Sequence, residues 1–219
     1  MKKLNEIDGI VFDMDGVIFD SERLGLKVWQ TLADKYGLGD ISAVAAQCIG
    51  RSTADTMQIL DSAYGSKVSI EKLYDESRIV LQEIIAEKGL PLKRGAREIL
   101  EFLKAVGVKV GLASSTSYRG VVSNLKLSGL LDCFEVIVGG DMIEHSKPEP
   151  EIYLLACEKL GVNPEKTYAV EDSKNGIISA FRAKMMPILV PDMIEPTEEM
   201  LSMSAAKFDT LLDFMESIR

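Results

Sequence analysis

Gly9-Ile10-Val11-Phe12-Asp13-Met14-Asp15-Gly16 decides how this chain is read. Ile10-Val11-Phe12 is a short continuous apolar run, the pattern of a strand buried on both faces, and such strands belong to parallel sheets. The run stops abruptly on Asp13. Four more runs repeat the pattern. Residues 108–113 stop at Ser114, 134–138 at Gly139, 167–170 at Glu171, and 187–190 just before Pro191. Helical stretches lie between them. Over 97–106, Ile99, Leu100 and Leu103 share one face. The stretch 152–160 starts after Pro150 and ends at Gly161, a residue suited to closing a helix. This strand and helix alternation predicts an α/β fold built on a doubly wound parallel sheet.

The segment 20–90 breaks that rhythm. It holds no convincing strand. Leu24, Val28 and Leu32 recur at helical spacing beside Trp29, and Leu73, Val80 and Ile84 mark another helix ending near Gly89. We expect an α-helical cap domain over 20–90, inserted after the first strand and set over the C-terminal edge of the sheet. The α/β core then comprises 1–19 and 91–219.

Composition narrows the function. At 219 residues and 47% hydrophobic, the chain buries a proper core. Its net charge of −9 repels polyanions, so neither nucleic acid nor an anionic membrane is an expected partner. No apolar run approaches the ~18–20 residues of a membrane span. Met1-Lys2-Lys3 leads into Asn5, Glu6 and Asp8, which breaks any signal-peptide pattern. Cys48, Cys133 and Cys157 lie far apart without metal-site spacing and read as reduced thiols, so a cytoplasmic chain is expected.

The chemistry-bearing residues all sit where strands end. Asp13, Asp15 and Gly16 follow the first run, Ser114 and Ser115 the second, Lys147 the loop after the third, and Glu171-Asp172 the fourth. In a parallel sheet these ends share one edge, where ligands of open α/β folds bind. Two carboxylates ~4 Å apart repel by about 4 kcal/mol at an effective dielectric of 20. Four of them must be protonated, paired or bridged by a cation. Lys147 neutralises one charge. Oxygen donors without histidine or cysteine favour magnesium (Mg²⁺) for the rest. A carboxylate nucleophile beside such a cation suits attack on phosphorus. Asp13 is the expected nucleophile. Asp15 is placed to protonate the leaving oxygen and then to activate water. Ser114 and the backbone near Ser115 hold phosphate oxygens, Lys147 orients Asp13, and Gly16 permits close approach of the phosphate.

Taken in order, Asp13-x-Asp15-Gly16, Ser114, Lys147-Pro148 and Glu171-Asp172 resemble the motifs of the haloacid dehalogenase-like superfamily, across essentially the whole chain. The helical insert resembles the cap of its β-phosphoglucomutase-like branch. That resemblance implies the strand order 3-2-1-4-5. It also implies that Asp13 and Asp172 give side-chain oxygens to the metal and Asp15 its backbone carbonyl, while Glu171 acts through its neighbours. It implies a cap that closes over the substrate, and Gly50-Arg51-Ser52 looks like a cap loop whose Arg51 grips the distal part of it.

Departures from the branch matter as much. Dehalogenases and phosphonate hydrolases of the superfamily lack the second aspartate, so Asp15 argues against both chemistries. Sugar phosphomutases carry a histidine twelve residues after the nucleophile, where this chain has Gly25. The reading is therefore a phosphatase for a small phosphorylated metabolite, a sugar phosphate or nucleotide, acting as a monomer or a dimer. The alternatives are a β-phosphoglucomutase-like mutase, a phospho-receiver and a silent scaffold. Of the remaining candidates, His145, Lys93 and Arg94 read as solvated, and Trp29 and Met185-Met186 as packed.

Overall fold

The computed structural model describes residues 2–49 and 53–219, so the expected Gly50-Arg51-Ser52 loop lies outside the described residues. The chain divides into two compact units, Ser21–Pro91 on one side and Met1–Asp20 with Leu92–Arg219 on the other.

The first unit is helical: α1 (Ser21–Tyr36), α2 (Ser42–Cys48), α3 (Thr53–Tyr64) and α4 (Ile70–Lys88). Val28, Leu32, Ile41, Leu60 and Leu73 form its buried centre, and Trp29 packs against them. Local chemistry sets the ends of α4. The Ser69 hydroxyl accepts from the Lys72 N–H at its start. Gly89 closes it at φ 71°, its N–H donating to Ile85 O at 2.8 Å, a backbone shape that glycine adopts without strain. Glu76 of α4 ties back to α1 through Lys35 and through the Tyr36 hydroxyl at 2.6 Å.

The second unit holds strands β1 (Gly9–Phe12), β2 (Lys109–Ser114), β3 (Val136–Gly139), β4 (Thr167–Glu171), β5 (Met186–Leu189) and β6 (Ala206–Lys207). Its helices are α5 (Ala96–Ala105), α6 (Tyr118–Ser128), α7 (Glu151–Leu160), α8 (Lys174–Arg182), α9 (Glu198–Met203) and α10 (Leu211–Ile218). Among the described residues the strands form one sheet in the order β3-β2-β1-β4-β5-β6 with every pairing parallel. The expected order 3-2-1-4-5 holds, with a sixth strand added at the β5 edge.

Alternation along β4 shows why both faces are covered. Ala169 joins Val11, Ala113 and Val138 against α7 and α8. Its neighbour Tyr168 faces the other way, its ring 5.9 Å from Phe214 of α10 at 86°. All four residues of β1 are buried, as a central strand covered on both faces requires.

Several boundaries shift by a residue, and two features depart further from the sequence expectation. β3 starts at Val136 rather than at residue 134, because Phe134 N–H donates to Leu131 O and closes a tight turn over Leu131–Cys133. β6 has only two residues, too few to leave a periodic signal. No helix among the described residues is long and apolar enough to cross a membrane.

Candidate active site

β1 sets the register of the site. Phe12 lies opposite Leu112 of β2 and Val170 of β4, and the Asp13 N–H continues the ladder to Val170 O at 2.9 Å. The residues that follow the three central strands therefore emerge side by side. Asp13, Glu171 and Asp172 each present a carboxylate oxygen within 4.8 Å of the others.

Lys147 is the hub. Its ammonium donates to Asp13 Oδ1 at 2.5 Å, Glu171 Oε1 at 2.6 Å and Ala113 O at 3.3 Å, which accounts for its three protons. Burial works against its charge, but Asp13 and Glu171 outweigh burial and hold its pKa above the ordinary lysine value. The lysine is cationic at every physiological pH. The Lys147–Pro148 bond is cis.

Glu171 is fully buried and fully engaged. Oε1 accepts from Lys147 and from the Tyr153 hydroxyl at 2.8 Å. Oε2 accepts from the backbone N–H of Asp172 and of Ser173 and from the Ser173 hydroxyl, at 3.0–3.2 Å. With both oxygens bound in this way, its role is to hold Lys147 and the loop after β4.

Asp13 and Asp172 are poorly compensated by comparison. Burial, then Glu171 and Asp15, push the Asp13 carboxyl up to about 8 although Lys147 pulls it down. Burial, then Glu171 and Asp13, hold Asp172 well above the usual carboxylate range. Both shifts come first from burial, and an excess of nearby negative charge over positive adds to it.

Asp15 is half-buried, and hydroxyls hold its carboxylate. Thr116 Oγ1 donates to Oδ2 at 3.2 Å, and Ser114 Oγ lies 3.5 Å from the same oxygen. Ser114 is fully buried and also accepts from the Thr116 N–H at 3.1 Å, whereas Ser115 is exposed. Gly16 has φ +79°, and a Cβ there would run into the Asp172 carboxylate. The glycine thus keeps open the space beside Asp172 Oδ2. Its N–H donates to Phe19 O at 2.9 Å, folding 13–19 into a tight turn over the strand end.

Asp13, Asp15, Gly16, Ser114, Lys147, Glu171 and Asp172 are therefore all brought to one edge of the sheet, while Arg51 lies outside the described residues. Thr116 and Tyr153 are additions. Thr116 follows a strand end by two residues, a detectable position. Tyr153 sits in an apolar helix stretch that reads as core. Lys93 corrects an expectation: it is not solvated but pairs with buried Asp192 at 2.5 Å. Arg94 and His145 are exposed, and His145 Nδ1 lies 3.0 Å from Glu151.

The donor set fits a hard cation. It offers carboxylate oxygens only, in a buried cluster short of positive charge, with room kept by Gly16.

Comparison with known proteins finds relatives of the whole chain. The model of the family described as haloacid dehalogenase-like hydrolase matches residues 10–190. A protein of Bacillus subtilis (strain 168), YhcW, which carries a provisional phosphatase name, is 36% identical over 96% of this chain and 99% of its own. A phosphorylated carbohydrates phosphatase of Thermotoga maritima is 35% identical over 80% of each chain. A Thermotoga maritima crystal structure, provisionally described as a beta-phosphoglucomutase, superposes with a TM-score of 0.83 at 30% identity, covering 97% of this chain and all of that one.

Proposed function

The chain belongs to the haloacid dehalogenase-like hydrolase family, and from that premise we propose that it is a magnesium-dependent phosphatase working through an aspartyl-phosphate on Asp13. It is a phosphoric monoester hydrolase of that family. Its substrates are small phosphorylated metabolites. Sugar phosphates are favoured over nucleotides, in keeping with relatives named for phosphorylated carbohydrates and for a hexitol phosphate. The observation that carries the reading is Lys147 bridging Asp13 and Glu171 beside an undercompensated Asp172.

Asp13 and Asp172 would hold the metal by side-chain oxygens and Asp15 by its backbone carbonyl. When bound, the cation supplies the positive charge that lets a carboxylate approach a phosphate. Asp13 attacks the phosphorus through one carboxylate oxygen, with Lys147 fixing Oδ1. The P–O bond to the substrate alcohol breaks, and Asp15 gives that oxygen a proton. Asp15, now a carboxylate, takes a proton from water as it attacks the phosphorus, which breaks the bond to Asp13 and frees phosphate. Ser114 and Thr116 turn their hydroxyls from Asp15 to the oxygens of the transferred group. Arg51 is a proposed contact to the distal part of the substrate.

The test is phosphate release across a panel of phosphorylated sugars and nucleotides with Mg²⁺, for wild type and Asp13→Asn. Release by wild type, stopped by EDTA and absent in Asp13→Asn, supports the reading; equal release by the variant sinks it. A sugar phosphomutase is the second reading, favoured by the Thermotoga maritima superposition. Gly25 stands where the mutases of the branch carry histidine. Isomerisation of glucose 1-phosphate in the presence of its bisphosphate, without phosphate release, would select the mutase.

A further inference from the structure

Tyr153 is fully buried in α7, and Ile152, Ala156, Cys157 and Leu160 belong to the same apolar cluster. Packing explains its ring. It does not explain its hydroxyl, which leaves the cluster and donates to Glu171 Oε1 at 2.8 Å. Lys147 Nζ stands 3.4 Å from that hydroxyl and 4.9 Å from the ring centroid, over the face that attracts cations.

Lys147 is shared almost evenly, with Asp13 at 2.5 Å and Glu171 at 2.6 Å. The ammonium's position therefore depends on how strongly each carboxylate pulls. Glu171 Oε2 already takes donors from Asp172 and Ser173, which leaves Oε1 as the oxygen that competes with Asp13. A neutral donor on Oε1 lowers that competition, because it stabilises the charge on that oxygen and two donors sharing one acceptor each bind it less strongly.

We propose that Tyr153 is a positioning residue for the phosphoryl transfer: its hydroxyl occupies Glu171 Oε1 and so keeps the Lys147 ammonium on Asp13. Phenylalanine would preserve the ring, its packing and its attraction for the lysine, and remove only this bond. Lys147 then shifts toward Glu171, and the Asp13 carboxylate loses the partner that fixes its angle of attack. Misplacement of a reacting group by 1 Å costs on the order of 10²-fold, and a partial shift about 10-fold.

The inference rests on the phosphatase reading, and its test separates the two. Tyr153→Phe, Tyr153→Leu, Glu171→Gln and the double variant Tyr153→Phe/Glu171→Gln are assayed for kcat and KM, with thermal melts alongside. Tyr153→Phe is expected to lose about 10-fold in kcat with KM changed less than about 2-fold and a melt lowered by a few degrees for the lost buried hydrogen bond. Tyr153→Leu shows the same kcat loss plus a larger fall in melting temperature. In the double variant the hydroxyl's effect disappears, because it acts through Glu171. Wild-type kcat in Tyr153→Phe, or effects that add with Glu171→Gln, would overturn the proposal. A crystal structure of Tyr153→Phe tests it without any assay: Lys147 Nζ is expected to move away from Asp13 Oδ1, and an unmoved lysine contradicts it. If wild type releases phosphate from no phosphomonoester, the phosphatase reading fails while this structural test still decides the positioning.

Discussion

Lys147→Met removes one ammonium and leaves a side chain of similar length. Lys147 touches two buried carboxylates, and their losses differ. Glu171 keeps the Tyr153 hydroxyl and the donors of Asp172 and Ser173. Asp13 loses the cation that offset its burial. The carboxylate oxygens of Asp13 and Glu171 lie within 4.8 Å, so two unscreened charges there repel by roughly 3 kcal/mol at an effective dielectric of 20. Breaking a buried pair by removing one partner costs about 3–5 kcal/mol, which agrees. Without metal at about pH 10, where Asp13 is ionised beside Lys147, the variant should lose that much stability, a fall of about 6–20 °C in melting temperature for a chain of this size. With the lysine gone, Asp13 takes up a proton more readily still, so the loss should shrink markedly near pH 5. The assay is urea unfolding followed by far-UV circular dichroism at both pH values. Trp29, the chain's single tryptophan, lies in the helical unit and reports on that unit instead. A loss below about 1 kcal/mol at pH 10, or an equal loss at both pH values, would refute the argument that Lys147 compensates buried charge.

Three further outcomes follow from the same geometry. Asp13 has its pKa raised from 3.8 to about 8, so the folded state binds the extra proton; its contribution to stability is complete below the unfolded value and lost as pH rises through about 8. Metal-free protein should therefore melt lower at each step from pH 5 to 8, and saturating Mg²⁺ should flatten the trend; a flat metal-free profile would count against it. Gly16→Ala forces a left-handed backbone on alanine and drives its Cβ into Asp172, so a stability loss of about 1–3 kcal/mol and a weaker apparent Mg²⁺ affinity are expected, read by melts with and without metal. Asp15→Asn keeps the hydroxyl contacts but has no proton to exchange, so kcat should fall by about 10²–10⁴-fold with the melt unchanged.

Much of this architecture was legible in the residues because burial on both faces leaves continuous apolar runs, and an acid or hydroxyl at the end of such a run has no structural reason to be there. Asp13, Ser114 and Glu171 stood out for that reason, and the parallel register then brings them together. Contacts that join distant residues without a local pattern were not legible. Lys93 and Asp192 are 99 residues apart, and nothing in either neighbourhood announces a buried pair. Tyr153 was hidden by its own ring: in an apolar helix stretch the periodicity records the packing, and the hydroxyl carries no signal. β6 is too short to show a period, and the turn at Leu131–Cys133 takes residues whose apolar character reads as strand.

The most direct test of the central claim is to trap the phosphorylated enzyme. Borohydride reduces an aspartyl-phosphate to homoserine, which peptide mass spectrometry locates. After turnover with substrate and Mg²⁺, homoserine should stand at position 13, and it should be absent without substrate and in Asp13→Asn. Homoserine at Asp15, or steady phosphate release with no modification at Asp13, would contradict the account.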